Sequence, residues 1–232
     1  HPVSPAPCFL NGWPGLQVIE LIYKILSEKL PEAFPASSGG CLAAAVWWGI
    51  RKKSGEPWAD GAPHPVGQGG FYKGDGITSM HHNSAGTRVS PTEIWESRNP
   101  WLVKKIELVK DSCGAGEFRG GLGLDLEFEM LEDTFITTVV ERTKFPPWGI
   151  KGGTSARSNN VEINPKNGVK FYMPKKSGHK LNKGDKITFM TGGGGGYGNP
   201  KNRKHSSIEN DLKQEYLSVK YVEDNFKNYK FS

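Results

Sequence analysis

Two glycine-rich runs constrain this chain more than any other feature of its sequence. Residues 111–123 read Asp-Ser-Cys-Gly-Ala-Gly-Glu-Phe-Arg-Gly-Gly-Leu-Gly, and residues 191–200 read Thr-Gly-Gly-Gly-Gly-Gly-Tyr-Gly-Asn-Pro. Flexible linkers mix glycine with serine and lack apolar anchors, whereas each run here carries an aromatic residue, Phe118 or Tyr197. Glycine in such a setting serves either a positive φ or a close approach to another backbone or a ligand. Both runs are therefore predicted to form fixed turns beside a binding surface.

The composition is that of a globular protein with many turns. Of the 232 residues, 36% are hydrophobic and 23% charged, with 30 glycines and 16 prolines, which suits one large domain or two small ones. The net charge of +6 comes from scattered Lys and Arg residues, so nucleic-acid binding is not expected. The apolar run 41–50 is too short to cross a membrane, and no membrane association is predicted.

The three cysteines, Cys8, Cys41 and Cys113, lie far apart, which argues against a disulfide framework or a zinc site. A reducing, cytoplasmic location is therefore expected. The chain opens at His1 in a proline-rich, loop-like stretch. We interpret this opening as a processed product or as a piece whose N-terminal portion is absent.

Hydrophobic periodicity predicts an α+β fold, with a β-rich body of short strands and glycine turns between two helical ends. A first helix is predicted over residues 15–30, because its apolar residues recur at helical spacing on one face, and a last helix over 206–229. Ser90-Pro91 followed by Glu93 predicts a short helix opening. Strands are predicted at 102–109, 124–130, 134–141, 159–163, 169–173 and 185–190, the second and third as a possible hairpin, while 41–50 fits a strand or a helix.

The order of these elements predicts two parts. Residues 1–100 form a helix and an irregular Gly/Pro-rich segment that continues a missing N-terminal part. Residues 101–232 form a β-rich C-terminal domain with a terminal helix.

One group of candidate site residues lies in a glycine-rich loop. Asp75 is followed by the adjacent pair His81-His82, and such groups can bind a divalent ion or polarise a carbonyl. Adjacent side chains of an extended segment point in opposite directions, so a solvent-exposed loop is the favoured interpretation and no metal ligands are assigned.

A second group ends a predicted strand. Glu141-Arg142 is followed by Phe145-Pro146-Pro147-Trp148-Gly149, so two charges stand beside a rigid aromatic turn. Such an arrangement suits a substrate or interface site, although an ordinary surface turn with a weak local ion pair is the alternative.

The chain shows no self-sufficient catalytic machinery. It has no Gly-x-x-x-x-Gly-Lys-Ser/Thr phosphate loop, no dinucleotide fingerprint and no Gly-x-Ser-x-Gly nucleophile elbow. The five glycines at 192–196 lack the lysine and the helix that cradle a phosphate.

Four motifs in order resemble those of the hydantoinase B/oxoprolinase family, and the resemblance extends over most of the chain. Residues 111–123 resemble "DSGGAGRFRGGLG", and Glu141-Arg142 with the aromatic turn and Gly152-Gly153 resembles "dRxxxpPwGlxGG". The stretch 193–200 resembles "GGGGYGDP", and 87–96 resembles "NTRNTPVEVLE". This chain has Cys113 and Asn199 where the family has Gly and Asp.

The resemblance implies the C-terminal part of a B-type subunit in a hetero-oligomer. By resemblance, ATP with magnesium is held by an A-type partner, which phosphorylates a small-molecule substrate, and the B-type subunit acts on the activated species. A divalent metal such as zinc, manganese or iron would be held in the N-terminal part of the B-type subunit. From their positions in the sequence, the candidates for catalytic roles are Glu141 and Arg142 as charged groups at the strand end and His81, His82 and Asp75 as polar groups of the loop. The chain is not expected to be active alone.

Three functions follow from this resemblance. The first is ATP-dependent hydrolysis of a cyclic amide of the hydantoin, oxoproline or lactam type. The second is ATP-dependent carboxylation of a ketone such as acetone or acetophenone. The third is a non-catalytic scaffold that docks an ATP-binding partner subunit.

Overall fold

The computed structural model describes residues 8–40, 43–80 and 89–231, and it confirms the α+β class with a β-rich body. The helices are α1 (Cys8–Ser27), α2 (Thr92–Arg98), α3 (His205–Lys213) and α4 (Val219–Asn225), with a 3₁₀ turn at Pro200–Asn202. The strands are β1 (Ala44–Ile50), β2 (Pro57–Ala62), β3 (Trp101–Leu108), β4 (Leu124–Met130), β5 (Thr134–Val139), β6 (Asn160–Asn164), β7 (Phe171–Tyr172), β8 (Lys175–Leu181) and β9 (Lys186–Met190). Among the described helices, none has the length and apolar character needed to cross a membrane.

The strands form two antiparallel sheets. One has the order β2-β1-β5-β8, and the other has the order β3-β4-β9-β6-β7. Strands β1 and β2 come from the first hundred residues and share their sheet with β5 and β8. Hydrogen bonds within this sheet therefore connect the two predicted parts of the chain. The division into two parts at residue 100 remains a prediction.

Aromatic side chains join the two sheets. The Trp47 ring of β1 lies 5.9 Å from both Phe128 of β4 and Phe189 of β9, and 4.7 Å from Trp101 at the start of β3. All four side chains are almost completely buried. Edge-to-face and tilted contacts of this kind stabilise a core beyond the burial of apolar area.

The predicted hairpin between β4 and β5 is wrong. Strand β4 pairs with β3 and β9, whereas β5 pairs with β1 and β8 in the other sheet. Each strand has one apolar face, since Leu126 and Ile136 are fully buried within alternating patterns. Facing sheets bury both apolar faces in one shared core, and a short turn at 131–133 carries the chain from one sheet to the other.

The two ends of the chain differ in detail from the sequence prediction. The predicted terminal helix 206–229 is two helices, α3 and α4, and the side chain of Ser218 caps α4 by accepting from the Tyr221 amide at 3.0 Å. Strands β2 and β8 have no counterpart in the prediction. The segment β8 is a lysine-bearing edge strand, a composition that protects sheet edges from pairing with other chains.

The glycine runs pack against other backbone segments, and few of their glycines form the turns that the sequence predicts. Within the described run 191–200, the only glycine with positive φ is Gly198. Gly194 accepts from the Gly114 amide at 2.8 Å and donates to Gly121 at 2.9 Å, while Gly195 accepts from Gly70 at 2.9 Å. We call the segments that meet here the glycine stack; they are residues 36–40, 67–70, 112–123, 148–154 and 191–198.

No side chain fits between the segments of the glycine stack. A Cβ atom on Gly194 would lie 2.6 Å from the Gly69 nitrogen, and one on Gly193 would lie 2.9 Å from the Cys113 Cα. Of the two roles that the sequence left open for these glycines, close approach of backbones therefore explains the run 192–196.

Candidate functional site

A cleft beside the end of β5 contains two of the predicted site residues, Glu141 and Arg142. It lies between α1, the aromatic turn 143–148 and the segment 172–175, and its volume is about 780 Å³. The lining side chains are Gln17, Leu21, Lys24, Glu141, Arg142, Thr143, Lys144, Phe145, Trp148, Tyr172, Met173, Pro174 and Lys175.

The Arg142 side chain is held on two sides. Its Nη2 lies 2.9 Å from Oε2 of Glu20 on α1, in a pair whose side chains are only 5% and 4% exposed. Its guanidinium carbon lies 4.0 Å from the centroid of the Trp148 ring, which is cation–π geometry. The planar guanidinium is therefore fixed at the floor of the cleft by a charge and by an aromatic face.

The backbone around Arg142 is built to admit this side chain. Gly40 has a φ of +85°, and a Cβ there would lie 2.5 Å from the Cγ of Arg142. Arg142 itself has a φ of +55°, a left-handed conformation that costs a non-glycine residue about 1–2 kcal/mol. Its carbonyl accepts from the Asn159 amide at 3.1 Å. Tertiary contacts therefore hold Arg142 in a conformation that the chain would not adopt locally.

Glu20 is the residue that joins α1 to the cleft. Its carboxylate accepts from the Ser37 hydroxyl at 2.7 Å, the Ser38 amide at 3.1 Å and the Ser38 hydroxyl. With Arg142, these donors satisfy a carboxylate whose residue is only 3% exposed, as a buried charge requires.

The outer rim of the cleft carries more cations than anions. The Lys175 ammonium lies 2.8 Å from Oε2 of Glu141, with the two side chains 54% and 33% exposed, so this pair contributes little to stability. The Lys24 ammonium lies 4.8 Å from the Trp148 ring centroid, and the exposed Lys144 also lines the cleft. A cleft of this kind favours an anionic group beside an apolar wall.

Asp75 belongs to a different part of the molecule. Its two carboxylate oxygens lie 2.8 Å from the two terminal nitrogens of Arg203, and it accepts from the Arg119 amide at 2.8 Å. Asp211 of α3 completes this cluster with contacts of 2.6 Å to Arg203 and 2.9 Å to Arg119. The four charges fasten α3 and the segment before it to the glycine stack.

The cluster also changes the titration of Asp75. Burial by itself raises the pKa of the carboxyl, but the hydrogen bonds and charges of Arg203 and Arg119 outweigh it and hold the pKa below its ordinary value. Asp75 is thus a carboxylate in a four-charge cluster and lies outside the cleft that Glu141 and Arg142 share.

The histidine pair cannot be placed relative to either group, because His81 and His82 lie outside the described residues. Across residues 8–40, 43–80 and 89–231, no three His, Cys, Asp or Glu side chains are positioned to hold one metal ion. These described residues therefore offer no ready-made set of metal ligands.

The sequence missed the partners of Arg142. Glu20 lies 122 positions from Arg142, and nothing in the local sequence distinguishes it from the exposed Glu28. A signal was available only for Trp148, since a tryptophan after two prolines forms a rigid wall near the strand end. Long-range pairing of this kind is decided by tertiary structure.

Comparison with known proteins places these motifs in a wider group. Residues 1–200 match the family model described as hydantoinase B/oxoprolinase. Over 228 residues, the chain is 32% identical to an uncharacterized protein of Methanocaldococcus jannaschii, covering 98% of this chain and 39% of that protein. It is 27% identical over 220 residues to the B-type subunit of a putative D-/L-hydantoinase from a Pseudomonas species, covering 94% and 37%.

Two solved structures share the fold. The ATP-dependent caprolactamase from Pseudomonas jessenii superposes with a TM-score of 0.75 at 20% identity, covering 89% of this chain and 37% of that one. The nucleotide-free acetone carboxylase superposes with a TM-score of 0.65 at 17% identity, covering 87% and 31%. The chain thus spans less than two-fifths of the length of these four relatives.

Proposed function

The chain belongs to the hydantoinase B/oxoprolinase family, and from that premise we propose that it is the C-terminal part of a B-type subunit in an ATP-dependent enzyme that hydrolyses a cyclic amide. Its relatives include proteins named as the B-type subunit of a hydantoinase and as the beta subunit of a caprolactamase. The proposed partners are an A-type subunit that holds ATP and magnesium, and the remaining part of the B-type subunit.

The observation that carries this proposal is the cleft around Arg142 and Trp148, with lysine ammonium groups at its rim. An amide is a poor electrophile, and phosphorylation of its oxygen creates a leaving group and adds negative charge to the substrate. A preorganised cation beside an apolar wall stabilises such charge better than water does. The charge of Arg142 is balanced by Glu20, so the guanidinium fixes the Trp148 wall. The ammonium groups of Lys24 and Lys144 at the rim supply the cationic charge for the activated amide.

Hydrolysis is favoured over carboxylation by the named sequence relatives. These include 5-oxoprolinase of Dictyostelium discoideum, at 30% identity over 124 residues, and the caprolactamase beta subunit, at 32% over 139 residues. Both names denote action on a cyclic amide. The likeness to acetone carboxylase is one of fold, at 17% identity, so ketone carboxylation is the control reaction in the test.

The test begins with the intact complex purified from its source, with every polypeptide identified by mass spectrometry. ATP turnover is measured with hydantoin, 5-oxoproline or caprolactam, and separately with acetone and bicarbonate. Stimulation by one cyclic amide is the expected result. Stimulation by the ketone with bicarbonate alone, or no stimulation by any of these compounds, contradicts the proposal.

A matched pair of variants tests the cleft itself. Phe145 lines the cleft and is 80% exposed, whereas Val169 is 86% exposed and does not line it, so neither truncation should disturb folding. We expect Phe145→Ala to raise the KM for the cyclic amide and Val169→Ala to leave it unchanged. Equal KM values for both variants and the parent complex would show that the cleft does not bind the cyclic amide.

A further inference from the structure

Helix α1 has its polarity inverted relative to an ordinary surface helix. Its buried face carries Glu20, while five large aliphatic residues at spacings of three and four are 42–67% exposed. We call this set the apolar stripe; its members are Val18, Leu21, Ile22, Ile25 and Leu26. A helix of a globular protein normally turns such a face toward the core.

The helix cannot turn the apolar stripe inward, because polar contacts fix its orientation. Glu20 is bound by Arg142, Ser37 and Ser38, and the Gln17 side chain donates to the Gly40 carbonyl. Rotation of α1 would leave the Arg142 guanidinium buried without its carboxylate, which is strongly unfavourable. These contacts therefore keep the stripe on the outside of the described part of the chain.

Five neighbouring aliphatic side chains that are exposed on one helix face form an apolar surface patch, and such a patch marks an interaction site. The stripe continues into the cleft through Leu21, which lines it together with Lys24 and Lys144. The occupant must therefore present apolar side chains to α1 and acidic side chains to the lysines at the rim. A polypeptide segment of mixed apolar and acidic character meets both requirements.

We propose that the apolar stripe is the docking surface for the part of the B-type subunit that the relatives carry beyond the matched region. That region is 39% of the archaeal relative and 37% of the Pseudomonas hydantoinase subunit, so most of each relative lies outside it. Docking on α1 covers the stripe and closes one side of the cleft. The cleft then lies at the junction of the two parts of the subunit, an inference that rests on the proposed function.

Site-specific photocross-linking tests this docking. A benzoylphenylalanine replaces Ile25 in the stripe, or Val219 at an exposed position of α4 as the control, in the protein as its source cells produce it. After irradiation, mass spectrometry identifies the cross-linked peptides. We expect cross-links from position 25 to sequence that aligns with the unmatched part of the archaeal relative, at a yield several times that from position 219.

Every other outcome overturns the docking proposal. A cross-link from position 25 to a second copy of this chain assigns the stripe to self-association. A cross-link to an unrelated protein, or a yield no greater than the control, shows that the remaining part of the subunit does not cover it.

A double substitution separates this proposal from the proposed function. Val18→Glu with Ile22→Glu alters only solvent-facing positions of α1 and leaves position 25 for the photoreactive residue, so the chain itself is expected to fold as before. We expect the double variant to lose the expected cross-link and to lower the recovery of the intact complex. A cross-link in a complex that turns over no cyclic amide supports docking while it contradicts the function, and full amide turnover by the double variant does the reverse.

Discussion

Nη2 of Arg142 and Oε2 of Glu20 meet at 2.9 Å although the two residues lie 122 positions apart. The pair is buried, and it connects the first helix to the end of a central strand. Removing one partner of a buried ion pair leaves the other charge uncompensated. The stability of the cleft therefore depends on both residues.

We expect Arg142→Ala to lower the free energy of unfolding by about 3–5 kcal/mol, because the buried Glu20 carboxylate would lose the cation that compensates its charge. Urea denaturation monitored by tryptophan fluorescence measures the change. Lys144→Ala, at an exposed position of the same cleft, is the control and should shift the free energy by no more than about 0.5 kcal/mol. A shift for Arg142→Ala as small as that of the control would mean that the pair has no structural role.

A single methyl group in the glycine stack should be more damaging than one in a strand. A Cβ on Gly194 would lie 2.6 Å from the Gly69 nitrogen, whereas a Cβ on Gly61 of β2 would meet its nearest neighbour, the Ala45 carbonyl oxygen, at 3.9 Å. We expect Gly194→Ala to cost about 3 kcal/mol or to prevent folding, and Gly61→Ala to be neutral or slightly stabilising. Equal unfolding midpoints for the two variants would show that the stack has room for side chains.

The pKa of Asp75 predicts a dependence of stability on pH. A carboxyl whose pKa is lower in the folded state contributes stability above its unfolded pKa, and that stability is lost as the pH falls through the folded pKa. We expect the unfolding free energy to decrease as the pH falls below about 4. Asp75→Asn should be less stable at neutral pH and should show a shallower decrease in acid.

Urea denaturation at a series of pH values between neutrality and about pH 3 measures both slopes. Asp224→Asn alters an exposed carboxylate on α4 and is the matched control, with a slope close to that of the parent chain. An Asp75→Asn slope that equals the parent slope would show that Asp75 does not contribute to the acid sensitivity.

Cys113 should be chemically silent in the folded protein. Its side chain is 2% exposed, and burial raises the pKa of its thiol from 9.0 to about 11. Because the thiolate is the reactive species, we expect iodoacetamide at about pH 8 to leave Cys113 unmodified in the native chain and to modify it in urea. Peptide mass spectrometry reports the modification at this position, and rapid labelling without urea would contradict the buried placement.

The sequence predicted the β-rich body well where one face of a strand is apolar. The alternation of Leu126 and Phe128 with Glu127 and Glu129 identified β4 with its observed limits. The same pattern could not show which strand lies next to it, because a hairpin and a pair of facing sheets both bury Leu126. Pairing is decided by which arrangement covers both apolar faces at once.

Other parts of the fold carry no such signal. Strand β8 reads Lys-Lys-Ser-Gly-His-Lys-Leu, and only its last residue is buried, so it forms because β5 offers an edge to pair with. The segment 15–30 is predicted as a helix, and the observed α1 begins earlier, at Cys8, and ends at Ser27. Its apolar face gave no indication that Glu20, on the other side, would be the buried residue.

Only the part of the candidate site that lies at the strand end could be predicted from the sequence. Charges at the end of a strand, followed by Pro146-Pro147-Trp148, indicated the position of the cleft around Arg142. The Glu20 carboxylate and the Lys24 ammonium come from a distant helix, and no local spacing connects them with the strand. The role of Glu141 and Arg142 in turnover remains a prediction until the complex is assayed.

The glycine stack also limits how this protein can diversify. Where Trp47 meets Phe128, a smaller ring on one side can be offset by a larger one on the other, because both are side chains. Around Gly194 the neighbouring atoms belong to the main chain, and the size of the main chain does not change when one amino acid replaces another. A substitution at Gly194 therefore has no compensating partner elsewhere in the sequence, so a change of specificity is easier in the surrounding cleft and helices than at this position.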